Sequence, residues 1–298
     1  MSALGLLLLS AVLIVFGDAD ATMRGAELLA VVTPIAEDMA IVTEISHASP
    51  CVGQQFNVIY WLRARRSPAA IDIDPQQFPS FWSEVVPVPP ESQSRSRMSQ
   101  GQVEFLLRQV IAFPLVHGDL ELPLISLKIK RARGIASRGA EWDVRGTSKP
   151  VWLKIRAVPG RGPQQDTVPL VGDVKGSMIL GGAESEFHAT LELEGTANLA
   201  LLQPAIRLAD APDVLLSTSL IDAERLARTV DTAGSRVLQL LMRYRWGIRV
   251  AARRRERAPR LEDLMLPVYD PDNARWREIR IPGIQFGSAQ APPHARND

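Results

Sequence analysis

The chain has 298 residues, of which 46% are hydrophobic and 22% are charged, a composition typical of a globular protein. This length allows about two domains, each large enough to bury a hydrophobic core. The formal net charge of +1 argues against a nucleic-acid-binding protein, in which a basic excess is usual. Cys51 is the only cysteine, which excludes an intramolecular disulfide and a cluster of thiolate metal ligands.

The N-terminal residues have the pattern of a secretory signal peptide. Residues 3–17 form an uncharged, leucine-rich run that is too short to span a bilayer comfortably. Ala19 and Ala21 supply the small side chains that signal peptidase recognises, which predicts a signal peptide over residues 1–21 and cleavage between Ala21 and Thr22. No Lys or Arg precedes the apolar run, so an uncleaved membrane anchor is the alternative. The expected location is periplasmic, with attachment to the inner membrane left open.

Segments with the pattern of β-strands begin near residue 40. Residues 53–62 alternate in the period of a strand that has at least one buried face. Residues 103–113 and 120–129 are two more β-rich stretches, and residues 152–157 close the unit. Short segments bounded by Gly, Pro or polar turns predict an antiparallel β-sandwich domain over residues 40–157.

A second domain is predicted after a linker. Residues 158–167 are rich in Pro, Gly and polar side chains and lack apolar periodicity, which is typical of a linker. The segments that favour strands in the second domain, residues 168–286, are residues 187–193, 214–217, 236–250 and 276–281. Residues 220–229 instead predict a short helix, and the polar tail, residues 287–298, is predicted to be disordered. The predicted fold class is all-β, with two tandem immunoglobulin-like β-sandwich domains after the signal peptide.

Two short sequence similarities relate the predicted domains. Residues 119–124 read D-L-E-L-P-L, and residues 263–268 read D-L-M-L-P-V. A glycine also precedes a Phe-led strand in each domain, at Gly53 and at Gly182. Their matching order favours duplication of one sandwich unit.

No residue pattern indicates catalysis or metal binding. The four histidines have no second histidine or cysteine at metal-ligand spacing, and no nucleophile elbow, zinc-protease motif or phosphate-binding glycine loop is present. Asp270, Asp272 and Asn273 have part of the spacing of a calcium loop but no following acidic ligand, which favours a β-turn. The sequence therefore predicts a protein that is not an enzyme and has no cofactor and no metal.

An aromatic group lies among prolines, in a setting typical of a loop or an irregular sheet edge. Its members are Phe78, Phe81 and Trp82. Two interpretations stay open: the rings pack in the core, or they form an exposed apolar surface that binds a partner protein.

Several segments, taken in order, resemble the BatD family of bacterial envelope proteins, which is associated with aerotolerance operons. The matching segments are residues 51–60 (C-V-G-Q-Q-F-N-V-I-Y), 81–84 (F-W-S-E), 108–124 (R-Q-V-I-A-F-P-L-V-H-G-D-L-E-L-P-L), 171–173 (V-G-D), 195–199 (G-T-A-N-L) and 266–271 (L-P-V-Y-D-P), with Trp276 following. Each segment is short, so their order carries the resemblance. Val174 stands where an aromatic residue is usual in the family, and Ala197 stands in place of a glycine.

The resemblance implies a non-enzymatic adaptor or scaffold of the cell envelope. The family has no accepted catalytic residues, and its implied partners are von Willebrand A-domain proteins with a MoxR-type AAA+ ATPase. Membrane association is expected through these partners or through an uncleaved leader, and the implied process is oxidative stress or aerotolerance. The alternative is a carbohydrate- or peptidoglycan-binding β-sandwich, which the six tryptophans and the predicted envelope location favour.

Overall fold

The computed structural model describes residues 29–87, 96–131, 142–160, 168–181, 187–209, 214–232, 235–252 and 259–286. These residues form an all-β fold, as predicted, with one short 3-10 turn at Leu199–Leu201 and no α-helix within the described ranges. The cleavage site between Ala21 and Thr22, the predicted tail and residues 161–167 of the predicted linker lie outside the described residues. Within the described part of the chain, no helix has the length and apolar character needed to cross a membrane.

The first half of the chain contains eleven described strands. They are β1 (Leu29–Ala36), β2 (Met39–Ile45), β3 (Phe56–Ala64), β4 (Pro68–Ile73), β5 (Phe81–Val86), β6 (Ser96–Ser99), β7 (Gln102–Pro114), β8 (Gly118–Leu122), β9 (Ser126–Arg131), β10 (Val144–Thr147) and β11 (Val151–Ile155). A six-stranded sheet has the order β1-β2-β3-β7-β5, with β6 also paired to β7. The smaller sheets are β10-β9-β4 and β11-β8.

One face of the six-stranded sheet packs against the smaller sheets and encloses the first core. Successive side chains of a strand point to opposite sides, and β3 places Phe56, Val58, Tyr60 and Leu62 on this face. All four side chains are buried. They contact buried residues of the smaller sheets such as Leu127, which gives the first half a sandwich-like character.

The opposite face of the six-stranded sheet carries a buried charged network. Glu104 on β7 is fully buried and accepts hydrogen bonds from Nε of Arg63 at 2.8 Å and Nε of Arg97 at 2.6 Å. Arg97 also pairs with Glu44, and its guanidinium carbon lies 4.2 Å from the centroid of the Trp61 ring. Because the two carboxylates and two guanidinium groups pair with one another, the charge on this face is compensated locally.

The second half of the chain contains nine described strands. They are β12 (Leu170–Val171), β13 (Val174–Gly181), β14 (Phe187–Gly195), β15 (Leu208–Ala209), β16 (Val214–Thr232), β17 (Ser235–Ala252), β18 (Arg260–Leu261), β19 (Leu264–Asp270) and β20 (Arg275–Ile281). The main sheet has the order β13-β14-β17-β16, and the smaller sheets are β12-β19-β20 and β15-β18. β17 alternates in period two and buries Met242, Tyr244, Trp246 and Ile248 in the second core.

Most of the strands predicted from the sequence are strands in the structure, but one segment was predicted as the wrong kind of secondary structure. Residues 220–229, predicted as a helix, lie within the 19-residue strand β16. The stretch over residues 120–129 contains the end of β8 and the start of β9, which are separated around Pro123. The first sheet also begins at Leu29, ahead of the predicted start near residue 40.

The hairpin of β16 and β17 joins the two halves. The end of the hairpin where β16 leads into β17 packs on the face of the six-stranded sheet that is opposite the first core. Ile111 and Phe113 on this face belong to the second core. Nδ2 of Asn57 in the first half donates a hydrogen bond of 2.7 Å to the carbonyl oxygen of Leu238. The two halves therefore share one continuous set of apolar contacts.

Two Val-Gly pairs occupy matching places in the halves. Gly53 and Gly172 both have a positive φ, of 78° and 123°. Each follows a parallel strand contact: Cys51 with Arg156, and Val171 with Tyr269. The structural counterpart of Gly53 is thus Gly172, whereas Gly182, which the sequence similarity suggested, lies outside the described residues.

Candidate protein-binding edge

β16 is a long edge strand. It has 19 residues and, among the described strands, pairs with β17 alone. Its other side therefore presents a row of backbone N–H and C=O groups to which no described strand is bonded. Such an edge is a template on which a further strand can pair.

Large apolar side chains are exposed along this edge. The exposed fraction is 68% for Leu215, 53% for Leu220, 61% for Ile221 and 61% for Leu226. A β-bulge between Leu220 and Asp222 leaves Ile221 without a partner on β17. We call residues 215–221 the apolar edge segment and residues 222–230, beyond the bulge, the charged edge segment.

Ion pairs tie the charged edge segment to the rest of the main sheet. Arg245 on β17 lies 2.6 Å from Oδ2 of Asp222, and Arg243 lies 3.3 Å from Oε2 of Glu224. Arg243 also pairs with Glu194 on β14 at 2.6 Å. Hydrogen bonds from Lys175 and Arg243 hold the pKa of Glu194 below its usual value. These partly exposed pairs orient β16 but contribute little stability individually.

The charged edge segment also contacts the first half of the chain. Nη1 of Arg225 lies 3.1 Å from Oε2 of Glu84 on β5, and its guanidinium carbon lies 5.3 Å from the centroid of the Trp82 ring. The Trp82 ring packs edge-on against Phe113, with 5.5 Å between ring centroids. A strand added to β16 here would lie close to residues of both halves.

The three aromatic residues singled out in the sequence occupy different places. Phe78 and Phe81 are buried, with exposed fractions of 8% and 5%, and the centroid of the Phe81 ring lies 5.8 Å from that of Phe56 in the first core. Core packing is therefore the interpretation that the structure favours for these two rings. Trp82 points to the other face of the sheet, is half-buried, and borders the charged edge segment through Arg225.

The segment around Asp270 forms a turn, as predicted. Oδ1 of Asp270 accepts hydrogen bonds from the backbone N–H groups of Asp272 and Asn273 at 3.2 and 3.1 Å, and Oδ2 accepts one from Nδ2 of Asn273 at 2.9 Å. Its oxygens thus stabilise the local backbone. No cluster of three or more potential metal ligands occurs among the described residues.

Two titratable groups near the contact between the halves have shifted pKa values. Burial raises the pKa of the Cys51 thiol, although Arg156 opposes this shift, so the reactive thiolate is disfavoured. Burial also lowers the pKa of His47, and Asp272 only partly offsets the effect. Nδ1 of His47 lies 3.0 Å from the hydroxyl of its neighbour Ser46.

The tryptophans do not form a shared exposed surface. Trp152 is 61% exposed, whereas Trp61 and Trp246 are buried and the other three are half-buried. The Nε1 of Trp276 donates a hydrogen bond of 2.7 Å to the carbonyl oxygen of Pro159.

No protein-family model matches the chain, and no curated protein matches it significantly in sequence.

Sequence analysis missed β16 as a candidate site because its central residues favour a helix. The strand signal in the sequence is confined to residues 214–217 and 236–250, and the long hairpin is evident only from the pairing of the two strands.

Proposed function

We propose that this protein is a non-enzymatic envelope adaptor, resembling BatD, that binds other proteins by strand addition along β16. The observation that carries the proposal is the 19-residue edge strand with four exposed large apolar side chains. Backbone hydrogen bonds to an added strand supply affinity, and the alternating side chains of the edge supply specificity.

The proposed function also includes the export and the domain type that the sequence predicts. The chain is exported by its N-terminal leader, and its two halves are tandem immunoglobulin-like domains produced by duplication. The matching Val-Gly pairs at Gly53 and Gly172 support this duplication, since each turns the chain at the same kind of parallel strand contact.

The partners are envelope proteins such as the von Willebrand A-domain proteins of a MoxR-type system. The charged edge segment is the part of β16 suited to distinguish among them. It carries the carboxylates of Asp222 and Glu224 and the guanidinium of Arg228, which already have partners on β17, and the exposed apolar side chain of Leu226. A partner strand with complementary charges would match this pattern, and a strand with like charges would be rejected.

Crosslinking from a single position in intact cells tests the proposal. Leu226 is replaced by a photoreactive amino acid in the tagged full chain, and the control carries it at Ile179, an exposed residue of β13 on the opposite edge of the same sheet. We expect irradiation to attach a von Willebrand A-domain protein at position 226 and not at position 179, as identified by mass spectrometry.

Two results would contradict the proposal. One is recovery of the same proteins from positions 226 and 179, which would indicate nonspecific proximity. The other is the absence of any protein product at position 226 while the labelled chain is exported and folded.

A further inference from the structure

The apolar edge segment is close to a palindrome. Residues 215–221 read L-L-S-T-S-L-I, with Thr218 at the centre. Leu216 and Leu220 stand at equal distances from Thr218, as do Ser217 and Ser219. The outermost pair, Leu215 and Ile221, differs only in the branching of an aliphatic side chain.

A palindromic strand matches itself when two copies pair antiparallel. In an antiparallel pair related by a two-fold axis, residues at equal distances on either side of the central residue face one another across the two strands. With the axis at Thr218, each Leu216 faces Leu220 of the other copy, and each Ser217 faces Ser219. The two Thr218 side chains face each other at the axis.

The structure keeps this segment regular and exposed. Pairing with β17 runs without interruption from Val214 to Leu220, and the bulge at Ile221 ends the regular stretch. Thr218 is exposed, as are Leu215 and Leu220. Because a bulge disturbs strand pairing, regular added pairing would be confined to residues 216–220, the inner part of the palindrome.

Two other edge strands, β1 and β13, carry features that discourage pairing, and the apolar edge segment does not. β1 contains Pro34 and a register shift, and β13 carries Lys175, which pairs with Glu194 at 2.8 Å. Residues 215–221 contain neither a proline nor a charged residue.

We infer that the apolar edge segment is a dimerisation site that takes the same segment of a second copy of this chain. The inference rests on the proposed function in that it uses β16 as a pairing edge, and it leaves the charged edge segment to other proteins. Pairing joins the main sheets of two copies into one continuous sheet. Since stable interfaces usually bury about 1,200–2,000 Å² and a strand pair this short buries less, we expect a weak dimer, with a dissociation constant on the order of micromolar.

Charge substitution at the two-fold axis tests the inference. In Thr218→Glu and in Thr218→Lys, two like charges face each other in a dimer of identical copies, whereas an equimolar mixture pairs Glu with Lys. We expect sedimentation equilibrium of the purified full chain to show that each variant alone dimerises at least tenfold more weakly. The mixture is expected to return to the affinity of the unchanged protein or better.

The matched controls are Thr229→Glu and Thr229→Lys, at an exposed threonine of the same strand beyond the bulge. They are expected to dimerise like the unchanged protein, alone and mixed. Thermal melting of all four variants checks that each is folded before it is compared.

Three outcomes would overturn dimerisation at this segment. They are an unchanged protein that is monomeric across the micromolar range, Thr218 variants that dimerise normally, and a mixture that fails to recover. None of these affects partner crosslinking at position 226, which tests the proposed function separately. Conversely, a recovered mixed dimer with no crosslinked partner would support self-pairing and contradict the adaptor.

Discussion

Gly53 connects the two halves through a contact that only a glycine allows. Its φ of 78° lies in the left-handed region, and a Cβ at this position would stand 2.4 Å from the carbonyl oxygen of Pro169. Gly101 has nearly the same φ, 73°, but a Cβ there would meet nothing within 4 Å. Comparing substitutions at Gly53 and Gly101 therefore separates the free-energy cost of a left-handed backbone from the cost of a steric clash.

We expect Gly53→Ala to destabilise the protein more than Gly101→Ala. A left-handed alanine costs about 1–2 kcal/mol at either position, and displacing the Pro169 backbone adds about 1–3 kcal/mol at Gly53. The free energy of unfolding, measured with denaturant for both variants and the unchanged protein, checks the difference. Equal losses in the two variants would show that the approach of Gly53 to Pro169 does not contribute to stability.

Alternating burial is one pattern from which a strand can be predicted correctly, and β17 shows it clearly. In β17 every second side chain from Leu240 to Val250 is buried, and a period of two identifies such a strand without knowledge of its neighbours. β16 could not be identified in this way because most of its side chains are exposed. Its residues 222–228, D-A-E-R-L-A-R, have high helix propensity, yet pairing with the 18 residues of β17 holds them in a strand.

Arg225 is expected to hold the hairpin of β16 and β17 to β5. Its ion pair with Glu84 and its position over the Trp82 ring each contribute about 0.5–1 kcal/mol at a partly exposed site. Arg225→Ala should therefore lower the free energy of unfolding by about 1–2 kcal/mol. Arg228→Ala is the control, since Arg228 hydrogen-bonds Gln239 within the hairpin, and it should change stability by less than about 0.5 kcal/mol. Similar losses in the two variants would argue against a role for Arg225 in docking the hairpin.

At the scale of the whole molecule, sequence predicted the all-β class and the division into two β-rich halves but not how the halves meet. Strand periodicity reports which side chains are buried, and it does not distinguish a side chain buried in its own sheet from one buried against a distant strand. Ile111 and Phe113 illustrate this limit, because they belong to β7 but pack into the second core. Trp82, which the sequence placed in a loop or an irregular sheet edge with core packing and partner binding both open, lies on a strand at this same contact.

His47 makes the contact between the halves sensitive to pH. Burial lowers its pKa, Asp272 from the second half raises it in part, and Arg156 lowers it further. Because the folded protein then holds a proton on His47 less readily than the unfolded chain, its contribution to stability is complete above the unfolded pKa of about 6.5. That contribution is lost as the pH falls through the lower, folded pKa, with a slope of at most about 1.4 kcal/mol per pH unit.

Replacing His47 should therefore flatten the pH dependence of stability below neutrality. We expect the free energy of unfolding of His47→Gln, measured with denaturant between pH 7.5 and 5, to fall less steeply than that of the unchanged protein. His117→Gln, at an exposed position, is the control for the loss of an imidazole. Parallel curves for all three would show that His47 stays as easy to protonate in the fold as in the unfolded chain, and the contact between the halves would then carry no pH dependence from this residue.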